Sequence, residues 1–548
     1  MQSFLEAAWR LDLAQALPVD HTGFRLQTLL GRQQYLPEKQ EQALNSFWKQ
    51  AVKWHSGETW VQTARESLSF QQGDELIELT KKALICEGLM KGDKLLLCTD
   101  IHYETLIIFW AAVSLGMIVV PISPKASIGN SLKTISPSMA IADPEFYQTV
   151  AAYAKCRTIM TDITDDPLYE SAKSFETFLS TFLEAEVPAY DYGSGEDIAV
   201  ILSTTGSTGN PKLIPLTHAQ LIRSGRLMTE TYHWKKKDRY YGLGGLETMS
   251  GLRNATVCVA EAGATCILPE PGNNIHQHFE MIRQERITII TANPLFFRQL
   301  LFAAHTAGGT NSLAEIRLAL CTGNVLPARI REEWKTKTGS GLLNYYGLTE
   351  TSGICIAEPP GFQYLDERSI GLPAGCLVRI TDEKGNQLPP GEVGQLTIYG
   401  AGIFEGYYQN EQATEKVLKQ GWFSSGDLAA FQEDGSIFLH GRMSDLVKLP
   451  SGERIELSAI EELMSDIDLI TDWAVCPVME YEKEFIAVFF VPKEKARAEE
   501  IQEVIKERIM TRIGMFAVPK LVAAVDYIPR GNHNKVLRSA LTNKFINA

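Results

Sequence analysis

Leu202-Ser203-Thr204-Thr205-Gly206-Ser207-Thr208-Gly209-Asn210-Pro211-Lys212 packs hydroxyls and glycines into one short stretch and closes on a single cation. The residues leading into it, Ile198-Ala199-Val200-Ile201-Leu202, form an unbroken apolar run of the kind that makes a buried strand. Glycine lets a backbone approach a ligand closely, and Ser and Thr hydroxyls with free backbone N–H groups suit phosphate oxygens. The spacing is not the Walker pattern, because Lys212 follows a proline and no Ser or Thr comes directly after it. Nor is it the dinucleotide Gly-x-Gly-x-x-Gly. A surface turn rich in Ser, Thr and Gly has the same composition, so this stretch alone does not decide between turn and cradle.

Two further regions do. Asn344-Tyr345-Tyr346-Gly347-Leu348-Thr349-Glu350-Thr351 offers aromatic faces for a purine, a hydroxyl, and a carboxylate able to hold a magnesium ion. Downstream, Gly421-Trp422-Phe423-Ser424-Ser425-Gly426-Asp427 is followed by Gly441-Arg442-Met443-Ser444-Asp445-Leu446-Val447-Lys448. In this order and at these separations the segments resemble the adenylate-forming (AMP-binding) superfamily: acyl-CoA synthetases, peptide-synthetase adenylation domains and luciferases. The resemblance extends to Arg538. It implies an α/β fold with a large N-terminal domain of helix-covered β-sheets plus a small β-barrel, followed by a small mobile α+β C-terminal domain. The boundary falls at the Gly441-Arg442 motif, giving an AMP-binding domain over residues 1–440 and a lid over 441–548.

The apolar and charged fractions are those of a soluble globular protein. At 548 residues the chain exceeds one ordinary core. Its net charge of −14 argues against a general nucleic-acid or anionic-membrane surface, so a polyanionic ligand needs a local basic patch. Nine cysteines lie scattered without CxxC pairs or histidines at zinc spacing, which reads as reduced thiols in a cytoplasmic protein. The start, Met1-Gln2-Ser3-Phe4-Leu5-Glu6, lacks the basic and apolar blocks of a signal peptide. The longest apolar run, Leu106 to Ile122, is broken by Gly116 and Pro121. It predicts a buried helix ending near Gly116 and then a strand from Met117 to Val120, not a membrane span.

Before about residue 190, helical stretches alternate with short β-branched runs such as Lys94–Thr99, and the pattern repeats from 197 to about 365. That alternation predicts parallel sheets covered by helices. Between Gly371 and His440 the texture changes to short strands with Gly, Pro and Asp turns, predicting a small antiparallel barrel or sheet. After Arg442 two strands, Trp473–Val478 and Phe485–Val491, precede an amphipathic helix from Ala496 to Met510.

The resemblance assigns roles. Thr204, Thr205, Gly206, Ser207, Thr208 and Gly209 wrap the departing phosphates of ATP, with Lys212 steadying the loop or its charge. Thr349 touches the α-phosphate and Glu350 binds the magnesium ion. Tyr345 and Tyr346 lie by the adenine, Asn344 is near its edge, and Gly347 follows them. Asp427 accepts from the ribose hydroxyls and Arg442 adds a charged contact to the same sugar. In Pro529-Arg530-Gly531-Asn532-His533-Asn534-Lys535-Val536-Leu537-Arg538, Lys535 is the catalytic lysine that neutralises charge building on the α-phosphate. Asn534 stands where the family usually has glycine, and Ser444 where it commonly has an Asp or Lys hinge. Asn tolerates a left-handed backbone better than other non-glycines.

Adenylation joins a carboxylate oxygen to the α-phosphorus while pyrophosphate leaves, which needs positioning and charge stabilisation rather than a covalent enzyme intermediate. The acid itself is not legible. Leu246-Glu247-Thr248-Met249-Ser250-Gly251 replaces the family's aromatic-His or aromatic-Asp pair, and Cys321-Thr322-Gly323-Asn324 replaces Gly-Gly-Ala/Glu. Leu246, Thr248, Thr322 and Gly323 are therefore the substrate-lining candidates. With no carrier domain expected after Arg538, the expected acceptor thiol is one supplied in trans, from CoA or from the phosphopantetheine arm of a free-standing carrier protein; Lys235-Lys236-Lys237 is a candidate carrier contact. The expectation is an ATP- and magnesium-dependent acid–CoA ligase. Two alternatives are a stand-alone enzyme that loads a carrier and a degenerate sensor that binds nucleotide or acyl ligand without turning it over.

Overall fold

The computed structural model describes residues 42–123, 134–162, 173–186, 190, 192–204, 212–307, 309, 313–361, 369–443, 446–449, 454–465, 467–480, 483–493, 497–530, 536–538 and 541–542. They divide into two units. The first holds the described residues up to Val378 with Ile398–Phe423 and Asp434–Ser436. The second holds Arg379–Thr397, Ser424–Glu433 and the described residues from Ile437 onward.

The first unit contains two sheets. In one, strands β3 (Lys94–Cys98), β4 (Ile118–Pro121), β5 (Met139–Ala142), β6 (Arg157–Met160), β7 (Ile198–Thr204) and β8 (Lys212–Thr217) lie in the order β6-β5-β3-β4-β7-β8. All neighbours are parallel except β7 and β8. Burial on both faces explains why these strands read as continuous apolar runs. The suspected membrane stretch resolves as predicted. Helix α3 (Tyr103–Ser114) is buried from Thr105 to Ser114, stops before Gly116 with its positive φ of 68°, and feeds β4. Among the described residues no helix is long and apolar enough to cross a membrane.

The other sheet runs β15-β14-β13-β12-β11-β9-β10-β1-β2. Its strands are β1 (Thr59–Gln62), β2 (Ser67–Ser69), β9 (Arg239–Tyr241), β10 (Thr265–Ile267), β11 (Ile289–Ala292), β12 (Leu318–Cys321), β13 (Leu342–Leu348), β14 (Gly353–Ala357) and β15 (Ser369–Pro373). From β1 to β13 the pairing is parallel, and β13-β14-β15 is antiparallel. Helix α5 (His218–Thr231), which follows β8, has a capping box at Thr217 and Gln220. Helix α6 (Met249–Arg253) passes straight into a five-residue π-helix, Asn254–Cys258.

The second unit includes strands β16 (Leu377–Thr381), β17 (Gly394–Tyr399), β18 (Trp422–Phe431) and β19 (Ile437–Arg442), whose ends partly belong to the first unit. β18 and β19 pair antiparallel. Beyond them, β22 (Ile470–Glu480) and β23 (Lys483–Pro492) form a long antiparallel hairpin, with β24 (Leu521–Ala524) parallel to β23. Helix α11 (Ala498–Arg512) buries Ile501, Ile505 and Ile509 in a core with Val475 and Val488. Both strands and the helix match their sequence expectations to within a few residues. Asp427 lies inside β18, one residue after Gly426 at φ 77°.

Candidate active site

Strand order marks a candidate site on the first unit. The chain leaves β9 for β10 on one side and returns to β11 on the other, so the carboxyl ends of β9 and β11 flank a topological switch point, where open α/β sheets bind ligands. The Leu246–Gly251 segment follows β9, Thr322 and Gly323 follow β12, and Asn344 to Glu350 form the end of β13 and the turn after it. These sequence-selected residues thus lie at one edge of this sheet.

Thr204 is the last residue of β7 and pairs with Lys212, the first of β8. Residues 205–211, including Thr205, Gly206, Ser207, Thr208 and Gly209, lie outside the described residues. Lys212 Nζ stands 4.6 Å from the centroid of the Tyr407 ring. The Tyr407 hydroxyl donates to Glu350 Oε1 at 3.0 Å. Burial, with the Glu350 carboxylate beside it, holds this phenol well above its usual pKa and keeps it a donor. Two backbone bonds seat the Tyr407 segment: Phe404 N donates to Glu350 O at 2.9 Å, and Tyr408 N to Leu213 O at 2.8 Å. Among the described residues, Lys212 has no carboxylate partner and Glu350 Oε2 no donor. An unpaired ammonium beside a partly free carboxylate oxygen suits a phosphate together with a hard divalent cation. Glu350 therefore fits the magnesium role.

The Thr349–Glu350–Thr351 turn is a 3-10 helix stitched by the Thr351 hydroxyl, which donates within hydrogen-bond distance of Leu348 O and Gly353 O and accepts from Leu348 N. Between Tyr346 and Gly347 the β13–β14 register shifts. A side chain at Gly347 would begin 2.0 Å from Gly353 O, so only glycine permits this approach. Asn344 is buried, and its N–H donates to Glu358 Oε2. Glu358 is fully buried and paired with Arg331 at 2.7 Å. The Asn344 side-chain amide makes no hydrogen bond to the described residues.

The two tyrosines part company. Tyr346 is half-buried, whereas Tyr345 is 3% exposed. The Tyr345 hydroxyl shares a 2.7 Å hydrogen bond with Ser250 Oγ and accepts from Arg253 Nη2 at 3.2 Å. Leu246 is buried in the main core. Thr248 caps α6, accepting from Gly251 N at 2.9 Å. Thr322 is half-buried, its N–H bound to Ala292 O at 3.1 Å, and Gly323 is exposed at φ 87°.

On the second unit, Asp427 is 3% exposed and pairs with Arg442 Nε at 3.1 Å across the β18–β19 ladder. Lys535, with Ser444 and Asn534, lies outside the described residues. Lys236 of the basic run forms an ion pair with Glu58 at 2.9 Å.

The profile of the AMP-binding enzyme family matches residues 47–408. The chain belongs to that family. This AMP-binding enzyme is 25% identical over 484 residues to the indoleacetate–CoA ligase of Aromatoleum aromaticum (strain DSM 19018 / LMG 30748 / EbN1), covering 88% of this chain and 94% of that one. It is also 25% identical over 525 residues to a feruloyl-CoA synthase of an Amycolatopsis species, covering 92% and 99%. Its fold superposes on ATP-bound MatB from Rhodopseudomonas palustris with a TM-score of 0.81 at 23% identity, covering 92% and 100%.

Sequence reasoning missed three features of this AMP-binding enzyme. Tyr407 has a signal after the fact, since Gly400, Gly402 and Gly406 precede a tyrosine pair. The Arg331–Glu358 pair has none, because its partners belong to different elements. Arg253 was visible as the one charge between Leu252 and Val259.

Proposed function

We propose that this protein activates a carboxylic acid with ATP and passes the acyl group to the thiol of CoA. An acid oxygen bonds to the α-phosphorus as the bond to pyrophosphate breaks. The CoA sulfur then attacks the acyl carbon and AMP leaves. The observation that carries this reading is the Lys212–Tyr407–Glu350 arrangement at the carboxyl edge of a switch-point sheet, within a chain that belongs to the AMP-binding family. CoA is preferred over a carrier thiol because the relatives described above are CoA ligases by name.

In this reading Thr204 to Gly209 and Lys212 hold the β- and γ-phosphates, and Thr349 meets the α-phosphate. Glu350 is oriented by Tyr407 to hold magnesium, which supplies charge neutralisation when bound. Asn344 offers its unpaired amide to the adenine edge and Tyr346 its ring. Tyr345 is assigned away from the nucleotide, because its hydroxyl is already held by Ser250 and Arg253. Asp427 and Arg442 take the ribose, and Lys535 the developing α-phosphate charge. The test is acid-dependent exchange of labelled pyrophosphate into ATP, screened across acids, followed by CoA thioester formation. Exchange without thioester would reassign the acceptor; no exchange with any acid would favour a binding-only protein.

A further inference from the structure

Ile403 and Phe404 share a peptide bond whose two polar groups are held from opposite sides. Its carbonyl oxygen accepts from Gln220 Nε2 at 3.0 Å, and its N–H donates to Glu350 O at 2.9 Å. A peptide unit is planar and stiff, with its C=O and N–H pointing in opposite directions, so it passes a displacement of one partner on to the other. Gln220 is thus one rigid link away from the backbone of the residue assigned to magnesium.

Gln220 itself has little freedom. It is buried on α5, and its Oε1 accepts from Thr217 N at 2.9 Å. With a donor at Oε1 and an acceptor at Nε2, its amide has one orientation that satisfies both partners. A capping box is complete with Oε1 alone, so the bond from Nε2 to Ile403 adds nothing to the helix end. Thr217 is also the last residue of β8, the strand that opens on Lys212. One helical turn on, Ser224 donates to Ser352 O, and Ser352 Oγ donates to Gly402 O at 2.7 Å. Residues four apart share a helix face, so one face of α5 grips both the turn that bears Glu350 and the segment leading to Tyr407. The far end of that segment is fixed separately, by Tyr408 N to Leu213 O at 2.8 Å. The Tyr407 phenol therefore rides on a strap pinned at Ile403, Phe404 and Tyr408.

We propose that Gln220 is a positioning residue: by fixing the Ile403–Phe404 peptide, it sets the place of the Glu350 carboxylate and of the Tyr407 hydroxyl that orients it. This rests on the reading of Glu350 as the magnesium ligand of an acid–CoA ligase. Losing the tether weakens metal binding more than it slows the chemical step, because Glu350 itself remains.

The experiment compares the unmodified full chain with Gln220→Met and Thr217→Val. Both variants weaken the capping box, and only Gln220→Met also removes the bond to Ile403. ATP binding is measured by calorimetry across a range of magnesium concentrations with no acid present, and urea midpoints record the fold. Gln220→Met should raise the magnesium concentration for half-maximal tightening of ATP about tenfold, the scale of one buried polar group left unsatisfied. In acid-dependent pyrophosphate exchange it should raise the KM for magnesium-ATP and leave kcat at saturating magnesium nearly unchanged. Thr217→Val should lower the urea midpoint and leave the magnesium curve where it was. Should Gln220→Met fail to fold, Gln220→Glu, which keeps the acceptor for Thr217 N–H and lacks the donor, should show the shift in its place. A magnesium curve unmoved in the Gln220 variant, or moved as far by Thr217→Val, would overturn the proposal and leave the ligase reading standing. ATP binding by the unmodified protein that ignores magnesium overturns the Glu350 assignment and the proposal with it. Exchange with no acid at all removes the ligase reading, while the binding curves still decide the tether.

Discussion

The Tyr407 hydroxyl holds Glu350 Oε1 at 3.0 Å and, among the described residues, Glu350 Oε2 has no donor. Orientation of a cation-binding carboxylate by a buried phenol predicts a graded response. Glu350→Gln should lower acid-dependent exchange by about two orders of magnitude, the scale of losing one preorganised charge at a reacting phosphate. Tyr407→Phe removes only the tether, so a loss of about 1 kcal/mol, near fivefold, is expected. It should be recovered in part at high magnesium. Magnesium titrations of both variants test this, and equal, metal-independent losses would contradict it.

Asp427 is buried within β18 and paired with Arg442. If it holds the ribose, Asp427→Asn should raise the KM for ATP by about tenfold or more while changing kcat less, because a uniform binding contact is removed. Steady-state kinetics with ATP and with 2′-deoxy-ATP should show the variant losing its discrimination between them.

Lys535 should separate the two half-reactions. Lys535→Ala is expected to abolish pyrophosphate exchange and spare thioester formation from supplied acyl-AMP, at a cost to the first step of about 3 kcal/mol or more. Single-turnover assays of each half-reaction decide this; equal loss of both contradicts the assignment.

His218 makes stability depend on pH. It is fully buried, accepts from Leu44 N–H at Nδ1 and therefore carries its proton on Nε2. Burial pushes its pKa down to about 4. Between that value and the unfolded 6.5 the unfolded chain binds the extra proton, so this contribution is complete above pH 6.5 and is lost as pH falls towards 4. The full span is about 3 kcal/mol. Glu230 works in the opposite sense: burial raises its pKa to about 7, so its contribution falls as pH rises. The difference between unmodified and His218→Gln urea midpoints, measured at pH 5 and pH 7.5, isolates the histidine. An unchanged difference at both pH values would refute this account.

Glu358 anchors the strand that carries the site. Glu358→Ala strips Arg331 of its buried partner and Asn344 of its N–H acceptor, and should cost about 3 kcal/mol in urea unfolding. Glu358→Ala combined with Arg331→Met should recover part of that loss.

Local pattern carried most of the fold. Ile198–Leu202, Lys94–Cys98 and the long hairpin after Ile470 were legible because buried strands are apolar on both faces. The interruption at Gly116 distinguished a packed helix and strand from a span. What escaped was tertiary. Asp427 follows Ser425-Gly426, which locally favour a turn, but pairing with β19 draws it into a strand. Tyr345 and Tyr346 are adjacent and chemically alike; only strand alternation directs one ring to Ser250 and Arg253. Tyr407 lies 57 residues beyond Glu350, so no spacing rule could join them.

The Thr204–Lys212 pairing limits how this gene can drift. A strand presents alternate residues to opposite faces, so slipping β8 against β7 by one residue would turn the Lys212 ammonium away from Tyr407. Substitutions in β7 or β8 that favour such a slip should accordingly be selected against.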